Sequence, residues 1–182
     1  MPGHLFVIVE MTADDMPLSS FTLRNPGTAI DIISEPVAVE GDDRYHPSLV
    51  MVKGAPADAL NVLLRQLGRV YDHIEAIERD DLRRLWLGRM RLHESAYLHN
   101  RGARVLSSFQ HRYGAPWTHL EAGTLHLRAR VQDEEQGELL ADQMRRYFGK
   151  EGVDAQVELR EISGKDYGVW EELVQHAIGL AP

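Results

Sequence analysis

Residues 124–162, TLHLRARVQDEEQGELLADQMRRYFGKEGVDAQVELREI, change their hydrophobic period from two to 3.6 and back again. In the first part Leu125, Leu127, Ala129 and Val131 alternate with His126, Arg128 and Arg130, the pattern of a strand (124–132) with one buried and one wet face. Asp133 then stands where a helix cap is wanted, Gln136 takes the capping-box position, and Glu134 and Glu135 fall in the first turn, where the helix dipole favours acids. Leu140, Met144, Tyr147 and Phe148 make one apolar stripe, and Gly149 and Gly152 end it. The segment 153–162 alternates again, so the stretch predicts strand, helix, strand.

The same grammar occurs upstream. SLVMVKG (48–54) predicts a buried strand, and APADALNVLLRQLG a helix with Pro56 in its first turn, Leu60, Leu63, Leu64 and Leu67 on one face, and Gly68 at its end. RVYDHIEAIE (69–78) predicts the returning strand and DLRRLWLGRMRL (81–92) a hairpin partner. Before them HLFVIVEM (4–11) has strand length, TAIDIISEPVAVEG (28–41) predicts one strand bent at Pro36, and DDMPLSS and RNPG carry turn chemistry. ESAYLHNRG predicts a short helix and ARVLSSFQHRY a strand.

A parallel strand pair joined by a helix leaves room for an antiparallel strand between its members. Two such units with hairpin strands predict an α+β chain of two ferredoxin-like, split-βαβ modules with mainly antiparallel sheets. The expected division is 1–93, 94–163 and a C-terminal helix in 164–182 that packs on the body or on a dimer partner.

Composition narrows the function. The chain has 182 residues, 43% of them hydrophobic, which suffices for a core. A net charge of -8 disfavours general attraction to nucleic acid or anionic membrane. With no Cys, disulfides, thiolate metal sites and Cys nucleophiles are excluded. Only Lys53, Lys150 and Lys165 among the 20 basic residues are Lys, a bias read as base composition. The first residues lack a basic lead, and their apolar run is short and interrupted by Glu10, so no signal peptide or membrane span is expected and a cytoplasmic location is the default.

LHNRGARVLSS, Trp117 and the 123–162 stretch, a Gly-containing turn into a short strand, then an apolar-Arg strand, a helix and a Gly-Val-Asp turn into the last strand, are similar to the sensor region of bacterio-opsin-activator-like transcriptional regulators. FTL, IDIISEPVAVEG and LVMVKG with ALNVLLRQLGRV resemble the preceding part of that region, so the likeness covers roughly residues 4–162. It implies a regulatory role. Members of that family continue through a YGLT-like link into a DNA-binding helix-turn-helix. Here DYGVWEELVQHAIGLAP holds one helix, with Val169, Leu173, Val174 and Ile178 on one face and Trp170 at its edge, so direct DNA binding is not expected.

Three groups of residues are candidates for a site. Nine His include His93, His99, His111, His119 and His73, but no pair has a metal-site spacing, and scattered hydrogen-bonded histidines are the expectation, with no metal site. His126, Arg128 and Arg130 share a strand face and Arg160 lies on the last strand beside Glu158, an arrangement suited either to an anionic ligand or to surface ion pairs. Arg89 and Arg91 share another face. Trp86, Trp117, Tyr97, Tyr113 and Phe109 are expected around the junction of the modules, as a core or as a ligand pocket. No catalytic motif is present: Ser107 and Ser108 lack a nucleophile-elbow context, and the acidic pairs lie in turns.

The expectation is a non-enzymatic sensor module, homo-oligomeric, binding a small molecule or a regulatory protein, with no cofactor specified by the sequence. The alternative is a small ferredoxin-like enzyme with a His- and Arg-lined pocket, and a third possibility is contact with DNA within a larger complex.

Overall fold

The computed structural model describes residues 4–12, 16–34, 38–40, 43–79, 83–91, 104–105 and 117–180. Along the chain these form β1 (His4–Thr12), α1 (Pro17–Arg24), β2 (Ala29–Ser34), β3 (Ala38–Glu40), β4 (Asp43–Lys53), a 3-10 turn (Ala57–Ala59) and α2 (Leu60–Val70). There follow β5 (His73–Arg79), β6 (Arg83–Arg91), β7 (Trp117–Glu121), β8 (Thr124–Arg130), α3 (Glu134–Glu151), β9 (Gln156–Ile162) and α4 (Gly164–Leu180).

All nine strands lie in one sheet, ordered β5-β6-β4-β2-β7-β8-β1-β9, with β3 beside β4. Every pairing is antiparallel. The fold is therefore α+β and antiparallel, but with a single sheet in place of separate ones. Two strand–helix–strand units are present: β8 and β9 enclose β1, and β4 and β5 enclose β6. The enclosed strand is local in one case, where β6 follows β5, and distant in the other. Residues on both sides of position 93 share the sheet, joined through β2 and β7.

Several elements differ from their sequence readings. Pro17 opens α1 where DDMPLSS reads as a turn, and Leu18 and Phe21 are buried while Thr22 bonds back to Ser19 O at 2.9 Å. The stretch 28–41 gives two strands, since β2 lies between β4 and β7 whereas β3 pairs β4 alone. Helix α2 runs through Gly68 to Val70, because Leu63, Leu67 and Val70 continue one buried stripe past the glycine. The readings of 93–103 and 106–116, including Tyr97, His93, His99, His111, Tyr113 and Phe109, lie outside the described residues.

One face of the sheet carries Val7, Val9, Leu125, Leu127, Ile30, Ile32, Val50, Val52 and Trp86, covered by Leu18 and Phe21 of α1, Leu63 and Leu67 of α2, and Ala141, Met144 and Phe148 of α3. Helix α3 starts as its sequence requires: Asp133 accepts from Gln136 N at 2.8 Å, and Gln136 Oε1 accepts from Gln132 N at 2.8 Å. It ends at Gly152 with φ 66°, the left-handed conformation that glycine adopts without strain. At Gly137 the helix lies so close to β9 that an added Cβ would stand 2.4 Å from Leu159 Cδ1.

Helix α4 lies on the other face. Ser163 caps it, accepting from Asp166 N at 3.2 Å. Tyr167 packs with Phe6, Ile8, Trp117 and Ile162, and Leu173 with Ile33, Leu49, Met51 and Leu85. Val169, Trp170 and Val174 pack beside them, while the side chain of Ile178 lies outside the described residues. Full burial of one such leucine contributes about 1.5–3 kcal/mol. Among the described residues no helix is long and apolar enough to cross a membrane.

Candidate functional site

Strand register assembles the site. On β8, alternation turns Leu125 and Leu127 into the three-helix core and turns His126, Arg128 and Arg130 to the α4 face. Neighbouring strands extend that face: Trp117 opposes Arg128 and His119 opposes His126 across β7, while Phe6, Ile8 and Glu10 oppose Arg130, Arg128 and His126 across β1. Beyond them Asp31 of β2 opposes His119, and Arg160 of β9 opposes Phe6. Five of the seven sequence candidates, His126, Arg128, Arg130, Arg160 and Trp117, thus share one face. Trp86 does not join them. It opposes Val50 and is 1% exposed in the three-helix core, on the far side of the sheet. Tyr97 lies outside the described residues.

A buried carboxylate organises the middle of this face. Asp31 is 3% exposed, and its Oδ1 accepts from Trp117 Nε1 at 2.7 Å and from His119 Nδ1 at 2.8 Å. A carboxylate at such depth is costly unless donors replace its water, and these two do so. His119 Nε2 stands 3.5 Å from Glu121 Oε2, so the ring lies between two carboxylates, one buried and one exposed. The His119 and His126 ring centroids are 5.9 Å apart, and His126 Nδ1 is 3.6 Å from Glu10 Oε2. Burial holds the His126 pKa below its ordinary value. Glu10 pulls upward, and Arg128, His119 and Arg160 push further down.

The arginines differ among themselves. Arg128 lays its guanidinium over the Trp117 ring, 4.3 Å from the centroid, so Asp31 positions the indole and the indole supports the cation. Its Nε is buried without a hydrogen-bond acceptor among the described residues. Burial lowers the Arg128 pKa, opposed chiefly by Asp31 and Asp166. Arg130 is exposed and stands 5.6 Å and 5.5 Å from the Tyr167 and Trp170 ring centroids. Arg160 is paired with Glu158 on its own strand, both side chains 53% exposed. Beside Arg130 lies an open concavity of about 540 Å³ lined by His4, Leu5, Arg130, Val131 and Gln132. The His4 ring stacks on Tyr167 at 3.3 Å.

Sequence reasoning passed over Asp31, Glu10 and His4. The signal for Asp31 was a single acid inside Ala-Ile-Asp-Ile-Ile, where a strand buried on both faces tolerates a charge only if partners reach it. Among the described residues no group of three or more His, Asp or Glu side chains is arranged to hold a metal ion. The arrangement supplies guanidinium donors, aromatic faces and one carboxylate-oriented imidazole, a set suited to holding an anion or to moving a proton at His119 Nε2. No family model, no curated protein and no solved structure matches the chain.

Proposed function

We propose that this chain is a non-enzymatic sensor module that binds a small anionic molecule on the α4 face of its sheet, through Arg128 and Arg130 with His126 beside them. The observation that carries this reading is a pair of arginines two residues apart on one strand face whose guanidinium carbons stand over aromatic rings, while the buried Arg128 Nε has no acceptor and Arg130 makes no side-chain hydrogen bond among the described residues. Stacking occupies the faces of a guanidinium and leaves its in-plane N–H groups to recognise an oxyanion. The resemblance to the sensor region of bacterio-opsin-activator-like regulators agrees with such a role, as does a reading of the two strand–helix–strand halves as fused ferredoxin-like modules. In this reading the protein acts as a homo-oligomer and passes the ligand signal to a regulatory partner without contacting DNA itself. Thermal unfolding in a panel of carboxylate, phosphate and sulfate salts tests it. At least one anion raises the melting temperature of the native chain, and the Arg128→Gln/Arg130→Gln chain loses that increment while remaining folded. An increment unchanged in the double variant removes the proposal.

A second reading has its own observation. His119, oriented by buried Asp31, has the geometry of a general base held by a carboxylate. If the protein is a small α+β enzyme, turnover of an activated ester falls to the solution rate in His119→Gln; equal rates in both chains exclude His119 as that base.

A further inference from the structure

The concavity beside Arg130 has a divided chemistry. Its volume of about 540 Å³ falls in the range that small organic ligands occupy. Val131 is 5% exposed and turned to the three-helix core, so the partly exposed Leu5 gives the concavity its apolar side, while Arg130, His4 and Gln132 give it polar ones, and no carboxylate is among these lining residues. The two groups able to carry positive charge both stand against aromatic rings. His4 stacks on Tyr167 with 5° between the planes, and Arg130 stands over Tyr167 and Trp170. An imidazole stacked in this way directs its ring N–H sideways, away from the supporting ring, and the exposed Arg130 brings its planar fork of N–H donors to the same concavity. Among the described residues nothing accepts a hydrogen bond from Arg130, although Glu158 and Asp142 each neutralise another arginine. The aromatic N-terminal turn of α4 therefore holds His4 and Arg130 at one pocket without satisfying Arg130.

The neighbouring charges select among anions. Gln132 is followed directly by Asp133, Glu134 and Glu135 at the start of α3, and all three are exposed. A doubly charged phosphate beside Arg130 meets their repulsion, whereas a carboxylate carries one charge and matches a single guanidinium fork.

We infer that the pocket of His4, Leu5, Arg130, Val131 and Gln132 binds a small organic monocarboxylate at this end of the sheet, its head group on Arg130 and His4 and its short hydrocarbon body against Leu5. This inference rests on the anion-sensing reading and narrows it to one end of the α4 face. The polar pair Asp31–His119 and the His126–Glu10 pair, further along the face, lie outside the pocket.

Titration of the full chain with butyrate, benzoate and inorganic phosphate, followed by backbone amide resonances and by calorimetry, tests it. The expected result is saturable binding of butyrate or benzoate, tighter than phosphate, with the Leu5, Val131 and Gln132 amides shifting most. Arg130→Gln weakens that binding at least about tenfold, since a charge-assisted bidentate contact is lost. Arg130→Lys retains the charge and gives an intermediate loss, His4→Gln weakens binding several-fold, and Arg145→Gln, at an exposed ion pair on α3, leaves it unchanged. Loss of binding in His126→Gln with none in His4→Gln moves the anion along the face, overturning the pocket while keeping the sensor reading. Tighter binding of phosphate overturns the ligand class, and failure of all three probes to bind overturns the inference whatever the wider salt panel shows.

Discussion

Three helices cover one face of the sheet and a single helix covers the other, and the chemistry of the two faces differs accordingly. Under α1, α2 and α3 the strands present mainly Val, Ile, Leu and Trp86, and the buried polar atoms there are the Ser34–Ser48 hydroxyl pair, 3.1 Å apart, and donors such as Trp86 Nε1 and Arg84 Nη1, with no carboxylate among them. Under and beside α4 the same strands present Phe6, Trp117 and Leu49 mixed with Asp31, His119, Arg128 and Arg130. Asp31 is the one buried carboxylate among the described residues. The difference teaches that the closed face sets the fold, while charge collects where a single helix leaves the sheet partly open to water. Charged groups there keep some hydration or reach each other, which a closed core denies them.

The sharpest test of that contrast is Leu173→Ala. Leu173 is 0% exposed between α4 and the sheet, as Leu67 is under α2. If α4 is a structural layer, both alanine variants lose about 2–5 kcal/mol in urea unfolding. A loss below about 1 kcal/mol at Leu173 alone marks α4 as a loosely held cover. Trp117→Phe comes next. It keeps an aromatic ring under Arg128 but removes one of the two donors to Asp31, and the expected cost is about 1–3 kcal/mol. A smaller loss than in Thr118→Val on the opposite face breaks the claim that Asp31 depends on its indole.

The pH dependence is smaller and has a definite sign. His126 has a folded pKa below its value of 6.5 in the unfolded chain, so the unfolded chain binds the proton first as pH falls. The neutral His126 stabilises the fold above 6.5, and this contribution is lost as pH drops through 6.5 toward the lower folded value. Unfolding free energies from about pH 7.5 to about pH 5.5 should fall less steeply in His126→Gln than in the native chain. Parallel slopes remove the assignment. Least affected is Arg160→Ala, since an exposed pair with Glu158 contributes under about 1 kcal/mol, and a larger loss would make β9 more than an edge.

What could be read in advance follows the range of the interactions. The strand, helix and strand of 124–162 are legible because their signals are local: the change of period, the Asp133 cap and the Gly152 stop. Alternation also places His126, Arg128 and Arg130 on one face. The partner of β8 and β9 is not legible, because β1 comes from the start of the chain and periodicity does not specify which strand fills a gap. For the same reason two sheets were the natural expectation where one exists. Trp86 and Trp117 were grouped by type, although register sends them to opposite faces. Helix α1 was hidden by Pro17, Ser19, Ser20 and Thr22, residues that favour turns until Leu18 and Phe21 find a core.

The place of β1 between β8 and β9 also bears on the order in which the protein is made. This strand leaves the ribosome about 110 residues before β8, so at synthesis rates of about 5–20 residues per second β8 arrives roughly 5 to 20 s later and β9 later still. Throughout that delay both hydrogen-bonding edges of a Phe-Val-Ile-Val segment lack their native partners. A nascent chain in this condition is a template for strands of other molecules, so chaperone occupancy of β1 during translation, and release of the strand once β9 has emerged, follow from its position between the last two strands of the fold.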